Sequence, residues 1–209
     1  MMDEHMVDGR LQLRKQPRQE RSIQRLEAIM EAAETLILEK GVGDVTMSEI
    51  AQRAAIPIGS LYQFFPQKAA VVKALHDRLA GHMENLFRNI FADVESLDHA
   101  AERAADCLLE IYARFRKEPI YISLWQVVAT DNGLSRLVAD FHDQLIQTFH
   151  KDLSHLVPAP DFERFRIHMK LMILSTAEVI RFACRESDDV ARAHLDHWRR
   201  FIRANVFAY

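Results

Sequence analysis

Ten histidines, two cysteines and thirty carboxylates give this chain of 209 residues ample material for metal or acid–base chemistry, so spacing decides whether any of it is used. His194 and His197 stand three apart, as do Asp152 and His155, and side chains at that spacing share one helical face, where they could hold a metal. A di-iron helical bundle needs paired Glu-x-x-His motifs, yet no glutamate here is followed three residues later by histidine. Zinc-protease, nucleotide-phosphate and serine-hydrolase chemistry have no support either, because H-E-x-x-H, the P-loop and G-x-S-x-G are missing from the sequence. Among so many histidines such pairs arise by chance, and a solvated or structural role is the simpler reading. Cys107 and Cys184 are too few and too distant for a disulfide scaffold or a zinc finger. On apolar helical stretches they read as inert buried thiols. The expectation is therefore no enzyme, no metal and no cofactor.

A different chemistry, that of hydrogen bonds to an anionic polymer, is concentrated in Thr46 to Lys68, TMSEIAQRAAIPIGSLYQFFPQK. Thr46 can cap a helix with its hydroxyl, and Glu49 stands three residues on to complete a capping box. Met47, Ile50, Ala51 and Ala54 then form a short apolar face, too short to be stable without neighbours. Ile56 and Pro57 break the run, since a proline disfavours helix in the residue before it and is well placed to open the next one. In that second helix Leu61 and Phe64 turn inward, while Gly59, Ser60 and Gln63 face out. Pro66 stops it and Lys68 opens another. This is a helix-turn-helix, and its outward face suits a DNA major groove. Gly59 permits close approach, Ser60 and Gln63 can read base edges, Ile58 can touch a thymine methyl, and Pro57 stands beside it at the tip of the helix. Thr46, Tyr62 and Lys68 are placed for phosphates. Tyr62 has a second reading, with its ring in the core and only its hydroxyl at the surface.

Net charge is −3, which argues against indiscriminate coating of nucleic acid. Its distribution says more. Arg10, Arg14, Lys15, Arg18, Arg21 and Arg25 face the single acid Glu20, a basic run beside the helix-turn-helix. Such a run is either a solvated tail or an arm for phosphate or minor-groove contact, and Arg18 and Arg21 are its candidates nearest the motif.

The remaining chain reads as helices. Ile23, Leu26, Met30, Ala33 and Ile37 step by three and four, and Gly41 and Gly43 close that helix. Val72, Leu75, Leu79, Met83, Leu86 and Ile90 mark a long helix after Pro66. Ala104, Leu108, Ile111 and Phe115 mark one from about Leu97 to Lys117. A short apolar piece, IYISLWQVVA, follows Pro119. Asp131, Asn132 and Gly133 make a turn, and Leu134, Val138, Phe141, Leu145 and Phe149 trace the next helix. Two more run from Asp161 to about Arg185 and from Asp188 to about Phe207. No segment alternates with period two, so the fold class is all-α, about nine helices: a three-helix N-terminal head and a larger C-terminal bundle. A hydrophobic fraction of 49% with six glycines and six prolines agrees. No apolar run approaches the ~20 residues that span a membrane, and the acidic N-terminus carries no export signal. A reducing cytoplasm is expected.

Leu171 to Ile180 is apolar nearly all round, so that helix must be buried on more than one side. With Leu171 and Leu174 there and Leu195, Trp198, Phe201 and Ile202 on the last helix, a homodimer interface is expected. A central place for both helices in a monomeric bundle is the alternative. Phe87, Phe91, Tyr121, Trp125, Phe141 and Met172 are bulky groups on converging helices, candidates for a ligand pocket or for plain core. Glu178 and Arg181 interrupt an apolar helix, where a charge needs a partner. At i and i+3 they can pair with each other or across a dimer.

The pattern T-x-x-x-I-A-x-x-A followed by G-S-L-Y-x-F-F-x-x-K resembles the DNA-binding domain of TetR-type transcriptional regulators, in the variant GSLYQ(Y/F)FPxK, over Arg18 to Leu75. Pro57 and Ile58 stand where many members have Ser and Lys, and Ala55 replaces a common turn glycine. The resemblance implies a basic flexible arm at 1–17, a DNA-binding domain at 18–67, and a ligand-sensing, dimerising domain at 68–209 whose last two helices pair with their mates. It also implies a repressor that leaves a palindromic double-stranded operator when a small effector binds. A helical metalloenzyme and a protein-binding adaptor are the alternatives from other classes.

Overall fold

Caps and breakers set most of the element boundaries. The computed structural model describes residues 20–130 and 134–205. The expected turn at Asp131, Asn132 and Gly133, the cations Arg10, Arg14, Lys15 and Arg18, and Phe207 lie outside them. The helices are α1 (Glu20–Asp44), α2 (Met47–Arg53), α3 (Ile58–Phe64), α4 (Lys68–Phe91), α5 (Leu97–Lys117), α6 (Ile120–Thr130), α7 (Ser135–Leu153), α8 (Phe162–Ala183) and α9 (Asp188–Asn205). Single 3₁₀ turns occupy Ser154–Leu156 and Ala159–Asp161, and there is no strand among the described residues. The apolar piece after Pro119 is thus helix α6. Gly41, at φ 82° and ψ 156°, leaves the helical region within α1, so the regular part of that helix ends where the glycine stands. Ser96 opens α5 by accepting the His99 N–H at 3.1 Å. Glu118, ahead of Pro119, sits at ψ 81° and ends it. Among the described residues no helix is long and apolar enough to cross a membrane.

Among the described residues the helices gather into two compact units, one up to residue 80 with 120–130 and 134–137, the other 81–119 with 138–205. In the first, α1 packs on α2 and α6, and α2 on α3. Ile29, Ala33, Leu36 and Ile37 of α1, Ile50 of α2, Leu61 and Phe64 of α3, and Ile120, Leu124 and Val128 of α6 are all buried. Ile23, although on the α1 stripe, is exposed. Periodicity reports a shared face but not how far the neighbours that cover it extend.

In the second unit α5 packs on α8 and α9, and α8 on α9. Ala100, Ala101, Ala104 and Ala105 of α5 are buried there, and such small side chains let helix axes approach closely. One contiguous core joins Phe91, Leu145, Phe149, Leu153, Phe165, Met169, Met172 and Ile202, each large side chain contributing about 1.5–3 kcal/mol on burial. A charged seam borders the α5–α9 contact. Arg199 reaches Asp106 at 2.7 Å and Arg203 reaches the same carboxylate at 3.2 Å, while Arg116 meets Asp188 at 3.1 Å.

Candidate nucleic-acid interface

The head of the helix-turn-helix is built by local hydrogen bonds. The Glu49 N–H donates to Thr46 Oγ1 at 3.3 Å, and the Thr46 N–H donates to Glu49 Oε2 at 2.9 Å, closing the capping box. The Thr46 hydroxyl also donates to Glu49 at 2.7 Å, and Lys40 Nζ pairs with its other oxygen at 2.5 Å. These donors, Lys40 foremost, lower the Glu49 pKa from 4.5 to about 2. Arg53 grips Glu39 through two bonds of 2.9 and 2.8 Å, which lowers the Glu39 pKa and raises that of Arg53. Thr46 is exposed, with its hydroxyl engaged in the cap.

The turn is a Schellman motif. The Ile56 N–H donates to the Ala51 carbonyl at 3.0 Å and the Ala55 N–H to that of Gln52 at 3.1 Å, closing α2. Ala55 sits at φ 53°, the left-handed conformation that glycine usually fills and that costs another residue roughly 1–2 kcal/mol. Pro57, at φ −59°, is the residue before α3, and its carbonyl accepts from Ser60 at 2.8 Å. It opens the helix from just outside, with no side-chain cap.

Along α3, Leu61 and Phe64 are buried, Ser60 is half-buried, and Ile58, Gly59, Tyr62 and Gln63 are exposed with Pro57. Ile58 and Tyr62 retain 40% and 44% of their surface. The Tyr62 ring is therefore outside the core. A Cβ built at Gly59 meets nothing within 4 Å, so nothing inside the protein requires a glycine there. Lys68 Nζ donates to the carbonyls of Val42 and Gly43, both at 2.8 Å, and keeps one further N–H. Arg21 and Arg25 are exposed on α1. Arg18 lies outside the described residues.

The bulky ligand candidates divide between the two units. Phe87, Phe91, Phe141 and Met172 gather on the second unit's core, where Phe149 meets Phe87 edge-on at 5.7 Å and Phe91 at 4.8 Å. Phe149, read from sequence only as part of a stripe, is the hub of that cluster. Tyr121 and Trp125 belong to the first unit, Tyr121 buried and Trp125 half-buried. Glu178 and Arg181 pair with each other and border an open groove of about 680 Å³ between α8 and α9, with Phe182, Arg185, Trp198 and Phe201.

Part of the apolar set expected at an interface is exposed on that face. Leu171, at 58% exposure, projects from α8 with Leu174 and Phe182, and Phe201 from α9. Half-buried Trp198 stacks on Phe201 at 4.9 Å and donates to Thr176 Oγ1 at 2.9 Å. Leu195 and Ile202 are corrected: each is 1% exposed, so they are core and have no surface left for a partner. Phe182, exposed on α8, continues the line of Leu171, Leu174 and Glu178, a continuation that the intervening charge disguised.

Among the described residues no group of three or more histidines, cysteines and carboxylates is placed to hold a metal. His194 Nδ1 lies 2.8 Å from the Val190 carbonyl, and His197 Nδ1 lies 2.9 Å from the Arg200 guanidinium, which must donate. Burial raises the pKa of both Cys107 and Cys184, which disfavours the reactive thiolate.

Comparison with known proteins agrees with this geometry. Residues 29–75 match the family described as bacterial regulatory proteins, tetR family, and residues 99–208 match the tetracyclin repressor-like C-terminal domain. The nucleoid occlusion factor SlmA of Pasteurella multocida (strain Pm70) is 27% identical over 110 residues, 51% of this chain and 54% of the relative; the match thus spans about half the length of that curated protein. A TetR-family transcriptional regulator from Streptomyces coelicolor superposes with a TM-score of 0.64 at 22% identity, over 88% of this chain and 95% of that one. SmeT in complex with triclosan gives 0.65 at 17% identity, over 88% and 94%.

Proposed function

The chain belongs to the tetR family of bacterial regulatory proteins, and on that premise we propose that it is a cytoplasmic, DNA-binding transcriptional regulator. In this reading it is a homodimeric repressor that leaves a palindromic operator when a small apolar or aromatic molecule binds among its C-terminal helices. Residues 18–67 form the DNA-binding domain and 68–209 the sensing and dimerising one. α3 enters the major groove, with Ser60 and Gln63 at base edges and Pro57, Ile58 and Gly59 against the groove floor. Arg21, Tyr62, the remaining N–H of Lys68 and the basic arm with Arg18 hold phosphates, whereas Thr46, whose N–H and O–H both donate to Glu49, has no donor left for one. The cluster of Phe87, Phe91, Phe141 and Met172 is the proposed effector site, and the complex of SmeT with triclosan supports an aromatic occupant. Effector binding must favour the arrangement that cannot hold DNA, and a differential of a few kcal/mol empties an operator.

The observation that carries the proposal is Gly59: exposed on α3, with open space where its Cβ would be. Glycine in the middle of a helix costs roughly 0.5–1 kcal/mol relative to alanine, an upper bound for Gly59 in the first turn of α3, and its use at an exposed position supports an outside surface that comes close. Gly59→Ala should stabilise the free protein by up to about that amount, read from denaturant midpoints, yet weaken operator binding about tenfold or more, on the order of one base-pair contact. Stabilisation with unchanged operator affinity would remove α3 from the interface.

A further inference from the structure

We infer that Ile58 reads a thymine in each operator half-site through its C5-methyl group, so that one position is specified by apolar contact with no hydrogen bond. The inference rests on the DNA-binding reading above and deepens it. Pro57, Ile58 and Gly59 carry no side-chain donor or acceptor, and all three are exposed. Ile58 keeps 40% of its surface, and Tyr62, four residues on and also exposed, stands on the same face of α3. Gly59, the next residue, carries no side chain, and the space at its Cβ position is open. In the major groove the thymine methyl is the apolar feature, whereas guanine and cytosine present only donors and acceptors there. An isoleucine pressed on those polar edges would desolvate them without offering a partner, a cost that falls on the wrong base. The same contact therefore selects thymine and rejects G·C. Hydrogen-bond readout is left to Ser60 and Gln63.

The test begins by selecting duplexes from a random pool with the purified full-length protein. Each thymine of the selected half-site is then replaced singly by uracil, which removes the methyl and leaves the pairing edge intact. The expected result is one thymine per half-site whose demethylation weakens wild-type binding about fourfold, the worth of one buried methyl group, and roughly fifteenfold when both half-sites are changed. Ile58→Ala should be indifferent to that replacement, whereas Ile58→Val should keep part of the dependence. A half-site without thymine, a scan in which no uracil weakens binding, or an equal loss in Ile58→Ala would overturn the inference while leaving DNA binding intact. Failure to enrich any duplex would overturn the DNA-binding reading itself, and the inference with it.

Discussion

Glu49 serves the Thr46 N–H, the Thr46 hydroxyl and Lys40 at once, and the head's response to acid follows from that. Its pKa in the folded protein, about 2, lies below the ordinary 4.5. Its charge therefore stabilises the fold at and above pH 4.5, and that contribution drains as pH falls toward 2. Glu49→Gln keeps an acceptor for the cap but no charge. The stability gap between wild type and Glu49→Gln, followed by urea denaturation, should be constant above about pH 4.5 and close as pH falls to about 2; a gap indifferent to pH would show that the ion pair contributes nothing. The capping box was legible in the sequence because everything it needs lies within three residues. Ala55 was legible only as an oddity, an alanine at a turn, until its left-handed φ of 53° explained it. The half-buried state of Ser60 was not legible, because it depends on what packs beside α3.

Lys68 joins elements rather than residues. It stands at the start of α4 and donates to the carbonyls of Val42 and Gly43, which follow the break in α1. Lys68→Met should lower stability by about 1–3 kcal/mol, the worth of charge-assisted hydrogen bonds to carbonyls. If the remaining N–H meets a phosphate in each copy, the slope of log affinity against log salt should also fall by about two, roughly one per half-site. Unchanged stability would deny the tie, and an unchanged slope would deny the phosphate contact. At this scale most helices could be read from period and punctuation, including the stop at Pro119 and the end of regular α1 at Gly41. α6 was harder, since a short apolar run without caps has no period to separate helix from buried strand. On α8 Met172, Ile173 and Ile180 turn inward while Leu171 and Leu174 stay exposed, the division that the proposed interface requires. On α9 the large residues were visible, but which of them faced its own core was settled by packing on α5 and α8.

For the whole molecule the proposed assembly is two copies joined through α8 and α9. Leu171, the most exposed of the large apolar side chains among the described residues at 58%, is the probe for it. Leu171→Glu should leave the folded chain's stability within about 0.5 kcal/mol, as surface substitutions do, while sedimentation shifts from dimer to monomer. A variant that still sediments as a dimer would move the interface elsewhere. Loss of the dimer should carry operator affinity down with it, since each copy presents one α3 to one half-site. The ligand site was least legible, because large aromatic side chains serve core and pocket alike and the sequence cannot say which face of a cluster opens. The most direct measurement of the central claim is the affinity of the purified protein for a duplex selected from genomic fragments, against a scrambled duplex of equal length and composition, across a range of salt. Two copies should bind each selected duplex, with at least about a thousandfold preference over the scrambled one at physiological salt and an affinity that falls steeply as salt rises. Equal binding to both duplexes, or none to either, would contradict that claim.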